Sequence, residues 1–193
     1  STRSTRASVS AQVGVRVQIA TGHLARDAPY PALEQLGLAQ VALQEHLSIK
    51  EQAWLWTLCA TAYERAGLYW AQRSCLVCAI ATGFGVFRRK GEIPAHLVSR
   101  VRRLIWAELQ LGNLPSALKW FEVWELLRAN AADDLTEEEV REQRMTMNVA
   151  IGLAALRTCD HDLKRLDSLP EVLRAIDLWS AADFTLIALG HED

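Results

Sequence analysis

The chain has 193 residues, half of them apolar, which is enough for one compact domain or a short array of repeats. Its 21 basic and 23 acidic residues give a net charge of −2, which argues against a dedicated nucleic-acid-binding protein. No apolar run approaches the ~20 residues of a membrane-spanning helix, and the polar opening STRSTRASVSAQ lacks the apolar core of a secretory leader. These features predict a cytoplasmic protein without a membrane partner.

The first predicted element contains the stretch QVGVRVQIA, in which valine and isoleucine alternate with polar or small residues. Such alternation is typical of a strand, but no other segment offers a strand partner for its backbone groups. The same stretch places Val9, Val13, Val17, Ala20 and Leu24 along one helical face. We therefore predict a helix here.

Later predicted helices carry start signals. Ser48 with Glu51, and Thr136 with Glu139, have the spacing of a capping box, in which two side chains satisfy the first free N–H groups of a helix. Pro115 stands at a plausible first-turn position, where its missing N–H costs nothing. The segments that follow have apolar residues at helical spacing, so nearly the whole chain is predicted to be helical.

Four short turns recur at an almost constant interval, at Gly22, Gly67, Gly112 and Cys159. Each turn separates a first helix from a second one, as in stacked helical hairpins. We predict a single all-α domain over residues 1–193 with about eight to nine helices, cut from a larger, bacterial protein. The predicted hairpins lie near 7–47, 49–83, 94–130 and 137–168, and a capping helix near 170–189 covers the open end.

Two of these hairpins resemble the tetratricopeptide repeat. The segment WTLCATAYERAG is similar to the first helix of that motif, and LIWAELQLGNLPSALKWFEVW is similar to its first helix, turn and second helix. The resemblance implies a right-handed superhelical stack of antiparallel hairpins, an α-solenoid, in which small residues let paired helices approach and aromatics fill the gap between hairpins. The matching residues are Trp56, Ala60, Tyr63, Gly67, Leu104, Gly112, Ala117 and Phe121.

The sequence departs from this family at three points. Gln72 stands where the motif has alanine, and Glu108 stands where it has an aromatic residue. The period of about 45 residues exceeds the family's ~34, and it also fits HEAT-like helical repeats. The fold is therefore interpreted as a degenerate tetratricopeptide-like repeat, with HEAT-like repeats as the alternative.

The spacing C-x-x-C in SCLVC permits zinc binding or thiol–disulfide chemistry, so Cys75 and Cys78 need a separate argument. Zinc requires four converging ligands, and the nearest other cluster, Cys159 with His161, falls two hairpins later. A redox pair usually begins a helix after a strand, whereas this pair lies in the middle of one. We predict two packing residues on one helical row, with no catalytic residue, metal or cofactor; a metal or redox role is the alternative.

Trp54 and Trp56 are two positions apart and cannot both face one side of a helix. One of them is predicted to be exposed or to lie at an interface. An exposed tryptophan in a groove is a typical anchor for a binding partner.

Basic residues concentrate in FRRKGEIPAHLVSRVRRL, residues 87–104. Such a run is most often a solvated face, but it also permits a nucleic-acid-binding patch. The residues are Arg88, Arg89, Lys90, Arg100, Arg102 and Arg103.

The family resemblance implies a concave groove lined by the first helix of each hairpin. Arginine can hold a carboxylate with two parallel hydrogen bonds, so the expected guest is an acidic or C-terminal peptide or a neighbouring domain. The expected function is that of a non-catalytic adaptor, and the alternatives are a nucleic-acid-binding repeat and a homo-oligomerising scaffold. The predicted groove residues are Gln12, Arg16, Trp54, Thr57, Thr61, Glu64, Arg65, Ser99, Arg102, Arg103, Trp106, Gln110, Thr146 and Arg157.

Overall fold

A computed structural model of the chain describes residues 2–44, 49–90, 93, 95–131 and 136–158. Within these ranges the chain forms seven helices and no strand, which confirms the all-α prediction. The helices are α1 (Thr2–Ala25), α2 (Pro29–Gln44), α3 (Ile49–Arg65), α4 (Tyr69–Lys90), α5 (Ala95–Gln110), α6 (Leu114–Asn130) and α7 (Glu137–Thr158).

The alternating segment 12–20 lies inside α1 and is helical, as predicted. Its predicted inner face is correct, because Val13, Val17, Ala20 and Leu24 are buried and Val9 packs against them. Residues three and four positions apart share a helical face, so these side chains form one apolar stripe. Burial of that stripe against α2 fixes α1 in the fold.

Helices that follow one another in the chain pack together. α1 packs on α2, α3 on α4 and α5 on α6, while α2 also contacts α3 and α4 contacts α5. α7 contacts both α6 and α5. One continuous core of buried side chains runs through all these contacts. The described fold therefore consists of three helix pairs, followed by α7, that pack on one another in chain order.

Three turns have the same geometry, at Asp27, Gly67 and Gly112. Each of these residues has a positive φ, of 54°, 70° and 71° respectively. In each turn the N–H of that residue donates to the carbonyl three positions back, and the next N–H donates to the carbonyl five positions back, at 2.9–3.1 Å. This is the Schellman motif, which favours glycine and tolerates a short polar residue such as aspartate.

The first turn corrects the sequence prediction. It lies at Asp27 rather than at Gly22, which is inside α1. Pro29 begins α2 and limits the conformation of the residue before it, so the helix ends just ahead of it. The positive-φ residues are therefore 40 and 45 positions apart, and the two intervals are unequal. The predicted fourth turn at Cys159 and the capping helix 170–189 lie outside the described residues.

Other boundaries also differ from the prediction. α4 continues to Lys90, beyond the predicted end at residue 83. Gly83 is buried where α4 meets α5, and a Cβ there would lie 2.9 Å from Leu97 Cδ1. The glycine thus allows a close approach of two helices rather than a turn.

The capping signals within the described ranges are confirmed. The backbone N–H of Thr136 donates to Glu139 Oε2 at 2.8 Å, and the N–H of Glu139 donates to Thr136 Oγ1 at 3.2 Å. Pro115 lies in the first turn of α6. The other predicted capping residue, Ser48, is outside the described residues.

Both departures from the repeat motif are buried. Gln72 is 1% exposed and Glu108 is fully buried. The Glu108 carboxylate accepts hydrogen bonds from Arg73 Nε at 2.7 Å and from Asn113 Nδ2 at 2.9 Å. This charged contact joins α4, α5 and the turn before α6. No helix in the described ranges is long and apolar enough to cross a bilayer.

Candidate functional site

The two cysteines of SCLVC do not lie on one packing row. Cys75 is buried and Cys78 is exposed. Cys75 lies at one edge of the buried stripe formed by Gln72, Leu76, Ala79 and Ile80, and the further step of about 60° to Cys78 leaves that stripe. In the described part of the chain, no group of three or more histidine, cysteine or acidic side chains could hold a metal ion. Cys159 and His161 lie outside that part.

Burial suppresses the ionisation of the two inner thiols. Desolvation raises the pKa of Cys59 to about 11 and that of Cys75 to about 12. For Cys75 the neighbouring Cys59 adds to the effect. The thiolate is the reactive form, so both side chains remain protonated and inert at neutral pH.

Selective alkylation should separate the three described cysteines. We expect iodoacetamide near neutral pH to label Cys78 first, while Cys59 and Cys75 stay unlabelled until urea unfolds the chain. Peptide mapping by mass spectrometry measures each site. Equal labelling rates for Cys75 and Cys78 in the folded protein would contradict the buried position of Cys75.

The same pKa shifts predict a loss of stability in alkali. In the unfolded chain these thiols ionise near their ordinary value of 9.0, and in the folded chain only near 11 and 12. Their contribution to stability is therefore complete below about pH 9 and is lost as the pH rises through the folded values. Urea denaturation at a series of pH values across this range measures the free energy of unfolding.

Part of the predicted groove is assembled between α3 and α5. Arg103 Nη2 on α5 donates to Glu64 Oε2 at 2.6 Å and to Thr61 Oγ1 at 3.0 Å, both on α3. These three residues are thus neighbours, as the groove prediction requires. Because Arg103 binds Thr61 and Glu64, its guanidinium already has partners within the chain.

Two further predicted groove arginines also bind within the chain. Arg16 Nη1 donates to Gln35 Oε1 on α2 at 3.2 Å. The Arg65 guanidinium donates to the backbone carbonyl of Leu24. That carbonyl lies at the C-terminal end of α1, where the helix dipole favours a positive charge. Arg16 therefore links α1 to α2, and Arg65 links α3 to α1.

The tryptophan prediction is confirmed for α3. Trp54 is 46% exposed, whereas Trp56 is partly buried against the core.

Three other predicted groove residues are polar. The hydroxyl of Thr57 donates a hydrogen bond to the Ala53 carbonyl of its own helix, at 2.8 Å. Ser99 is exposed on α5, and Gln12 is exposed on α1.

A concavity with a volume of about 390 Å³ lies between α5 and α7. Four predicted groove residues line it: Trp106, Gln110, Thr146 and Arg157. An apolar set from α7 that the sequence analysis missed completes the wall. These residues are Met145, Val149, Ala150, Leu153 and Ala154, together with Leu109 from α5. Their spacing of three and four positions was the signal that could have identified them.

A second cavity of about 280 Å³ adjoins the first, because both are lined by Trp106, Glu142 and Thr146. Arg102 lines this second cavity. We call the two together the α5–α7 groove. Within the described ranges, Arg102 and Arg157 have no hydrogen-bond or ion-pair partner. The groove therefore combines a tryptophan, an apolar wall, two available arginines and one glutamate.

One member of the predicted basic patch, Arg100, is buried. Arg100 is only 7% exposed, and its Nη1 donates to the Ala79 carbonyl on α4 at 3.4 Å. Burial, and to a lesser degree Arg103, lowers the pKa of this guanidinium. Arg100 is buried because it shares the α5 face of Leu97 and Leu104, three and four positions away. Arg88 is exposed, and the side chains of Arg89 and Lys90 lie outside the description.

Comparisons of the chain with protein-family models, with curated proteins and with solved structures found no match. The candidate site is therefore defined by its geometry alone. Four residues of the predicted groove, Trp106, Gln110, Thr146 and Arg157, line the cavity between α5 and α7.

Proposed function

We propose that the chain is a non-catalytic interaction module whose α5–α7 groove binds an acidic peptide segment of another protein or of a neighbouring domain. The observation that carries this proposal is the position of two arginines, without a hydrogen-bond or ion-pair partner in the described ranges, beside an apolar cavity that contains Trp106. An apolar anchor surrounded by polar groups is the usual composition of a peptide-binding site.

Each component of the groove has a role in this proposal. Trp106 and Met145 offer a large, adaptable apolar surface for a leucine- or phenylalanine-like side chain of the peptide. Arg102 and Arg157 each offer the paired donors that match a carboxylate. Glu142 adds one negative charge to the same lining, so the groove keeps a net positive charge of one. This balance favours a peptide with more acidic than basic residues.

The proposal includes a tetratricopeptide-like stack, in which α1, α3, α5 and α7 line the concave side of a right-handed superhelix. The three equivalent turns and the packing of helices in chain order support this arrangement. The contacts of Arg103 with Thr61 and Glu64 support it as well, because they join two first helices side by side.

A peptide-selection experiment tests the function. A phage-displayed library of random 12-residue peptides is panned against the whole chain, and the selected sequences are synthesised and titrated by calorimetry. We expect acidic peptides with one large apolar residue. Arg102→Gln, Arg157→Gln and Trp106→Ala should each weaken their binding about tenfold, since one charge-assisted hydrogen bond or aromatic anchor contributes at least about 1.4 kcal/mol.

The matched control is Arg88→Gln, which removes the same charge from an exposed position on α4 outside the groove. Its affinity for the selected peptides should equal that of the wild type. An equal loss for this variant, or a selection that enriches no peptide, would contradict the proposal.

The observations give nucleic-acid binding through residues 88–103 less support. Arg100 is buried and Arg103 is paired with Glu64. Among the described side chains of that segment, Arg88 and Arg102 are then the remaining basic groups. Affinity for a nucleic acid that falls steeply with salt would favour this alternative.

Self-association is a second candidate function, and one observation favours it. The first helix pair exposes several large apolar side chains: Val15 and Ile19 on α1, and Leu38 and Val41 on α2. A sedimentation measurement that gives only monomer at high concentration would exclude it.

A further inference from the structure

One face of α7 changes from acidic through apolar to basic along the helix. Residues three and four positions apart share a helical face, so the members of this set form one stripe. In chain order they are Glu138, Glu142, Met145, Val149, Leu153 and Arg157. All of them except Glu138 line the α5–α7 groove. We call this set the α7 stripe.

The α7 stripe is accessible along its whole length. Its three charged members and Met145 are exposed, and its other two apolar members are half-buried. None of the charged members has a side-chain hydrogen bond or an ion pair within the described ranges. Arg144, on another face of α7, instead binds Glu125 on α6. The charges of the stripe are therefore available to a guest in the groove.

α5 lies beside α7 and runs in the same direction. Arg102 and Glu142 line the second cavity together. Gln110 and Arg157 both line a third cavity, of about 230 Å³, which adjoins the α5–α7 groove. Low residue numbers of the two helices thus meet at one end of the groove, and high residue numbers meet at the other.

The two ends carry opposite net charge. At the first end, Glu138 and Glu142 outweigh Arg102 by one negative charge. Among the described residues that line the third cavity, Arg157 is the one that is charged. The ends are about 22 Å apart along α7, from Glu142 to Arg157 at 1.5 Å per residue. This separation exceeds the screening length of about 8 Å at physiological salt, so each end attracts or repels a guest charge independently.

We propose that the guest of the α5–α7 groove is a peptide segment with opposite charges at its two ends and a large apolar residue between them. Its acidic end binds Arg157, and its apolar residue packs beside Trp106. A lysine or arginine at its other end binds Glu142 and Glu138. This inference rests on the proposed function and adds to it the order of charges along the peptide.

The length of the groove sets the spacing of these charges in the guest. An extended peptide covers about 22 Å with about seven residues, and a helical one with about fifteen. Arg102 lines the second cavity together with Trp106, so it binds an acidic residue near the middle of the guest. A peptide that is acidic throughout would instead place like charges against Glu142, and such contacts are unfavourable.

A substitution at the acidic end of the groove tests the order of charges. Glu142→Gln should weaken the binding of library-selected peptides about two- to fivefold, the range for an exposed ion pair. A uniformly acidic guest would bind this variant more tightly than the wild type, because the substitution removes a repulsion. Glu122→Gln, at an exposed position on α6 outside the groove, is the matched control and should leave the affinity unchanged. Calorimetry measures all three proteins.

Disulfide crosslinking tests where each end of the peptide lies. In a background with Cys78→Ser and Cys159→Ser, the chain carries either Gln110→Cys beside Arg157 or Gln143→Cys beside Glu142. A selected peptide carries one cysteine, next to its acidic or its basic end. Under oxidised glutathione the acidic end should crosslink about ten times faster to Gln110→Cys than to Gln143→Cys, and the basic end should show the reverse preference. Intact mass measured under non-reducing conditions gives the rates.

The outcomes separate this inference from the proposed function. Selected peptides whose two ends crosslink equally to both positions, or that bind Glu142→Gln more tightly than the wild type, would overturn the order of charges while the proposed function stands. A library that yields no binding peptide would overturn both. Weaker binding to Glu142→Gln, together with opposite crosslinking preferences of the two peptide ends, would support both.

Discussion

Replacing Trp124 by alanine should lower the free energy of unfolding by about 3–5 kcal/mol, the range for removing a fully buried aromatic side chain. Trp124 lies on α6 and is completely buried. Its ring stacks on Phe121 with a centroid distance of 5.7 Å. The lost apolar burial and the cavity left behind both contribute to the cost. Urea denaturation followed by circular dichroism measures the change.

Two variants test the explanation for Trp124. Trp70→Ala removes a side chain of the same type that is 66% exposed, and it should cost less than about 1 kcal/mol, although Arg73 lies over its ring at 5.8 Å. Trp124→Phe should cost much less than Trp124→Ala, because the indole Nε1 has no hydrogen-bond partner in the described ranges and its loss removes an unpaired donor. Equal costs for Trp70→Ala and Trp124→Ala would contradict the buried position of Trp124.

Removing Arg73 should have an effect of similar size. Arg73 is one-third exposed, but its partner Glu108 is fully buried. Arg73→Ala leaves that carboxylate with Asn113 as its remaining side-chain donor. An uncompensated buried charge typically costs about 3–5 kcal/mol, so we expect a loss of about 3 kcal/mol in urea denaturation.

Removing Glu108 should lower the free energy of unfolding less than removing Arg73. Glu108→Leu removes the buried charge and lets Arg73 turn towards water, so it should cost less than Arg73→Ala. The double variant Arg73→Met with Glu108→Leu should recover most of the loss. Arg144→Ala, which breaks the exposed pair with Glu125, is the matched control and should cost no more than about 1 kcal/mol. Equal losses for Arg73→Ala and Arg144→Ala would show that the buried contact is not a significant source of stability.

Features determined by nearby residues could be predicted from the sequence. The α1 face with Val13 and Val17, the capping box at Thr136 and the turns at Gly67 and Gly112 all depend on side chains within a few positions. The predicted position of the first turn is wrong because glycine is the usual signal for such a turn. Asp27 adopts the same backbone conformation without being glycine.

Features determined by distant residues could not be predicted. Arg100 and Arg103 lie in the same basic run, yet one is buried against the Ala79 carbonyl and the other is paired with Glu64. Both outcomes depend on how α5 is placed against α4 and α3, which no local pattern records. A charged residue in a helix is ordinarily exposed, so the sequence favoured exposure for Arg100.

The groove prediction describes the residues on α5 and α7 better than those on α1 and α3. Trp106 and Gln110 do share a cavity with Thr146 and Arg157, because α5 and α7 lie side by side there. Arg16 and Arg65 instead bind within the chain, at Gln35 and at the Leu24 carbonyl. Helical periodicity gives the direction of a side chain on its own helix, but not the group that it meets.

The packing of each helix on its chain neighbours has a consequence for synthesis on the ribosome. The first pair, α1 with α2, lies within residues 2–44, so its internal contacts can form before α3 is made. Contacts between segments close in sequence form rapidly, since little chain entropy is lost in closing the loop between them. Each pair can therefore form soon after it emerges from the exit tunnel. The faces that join one pair to the next, such as the face between α2 and α3, stay exposed to chaperones until the following helix is made.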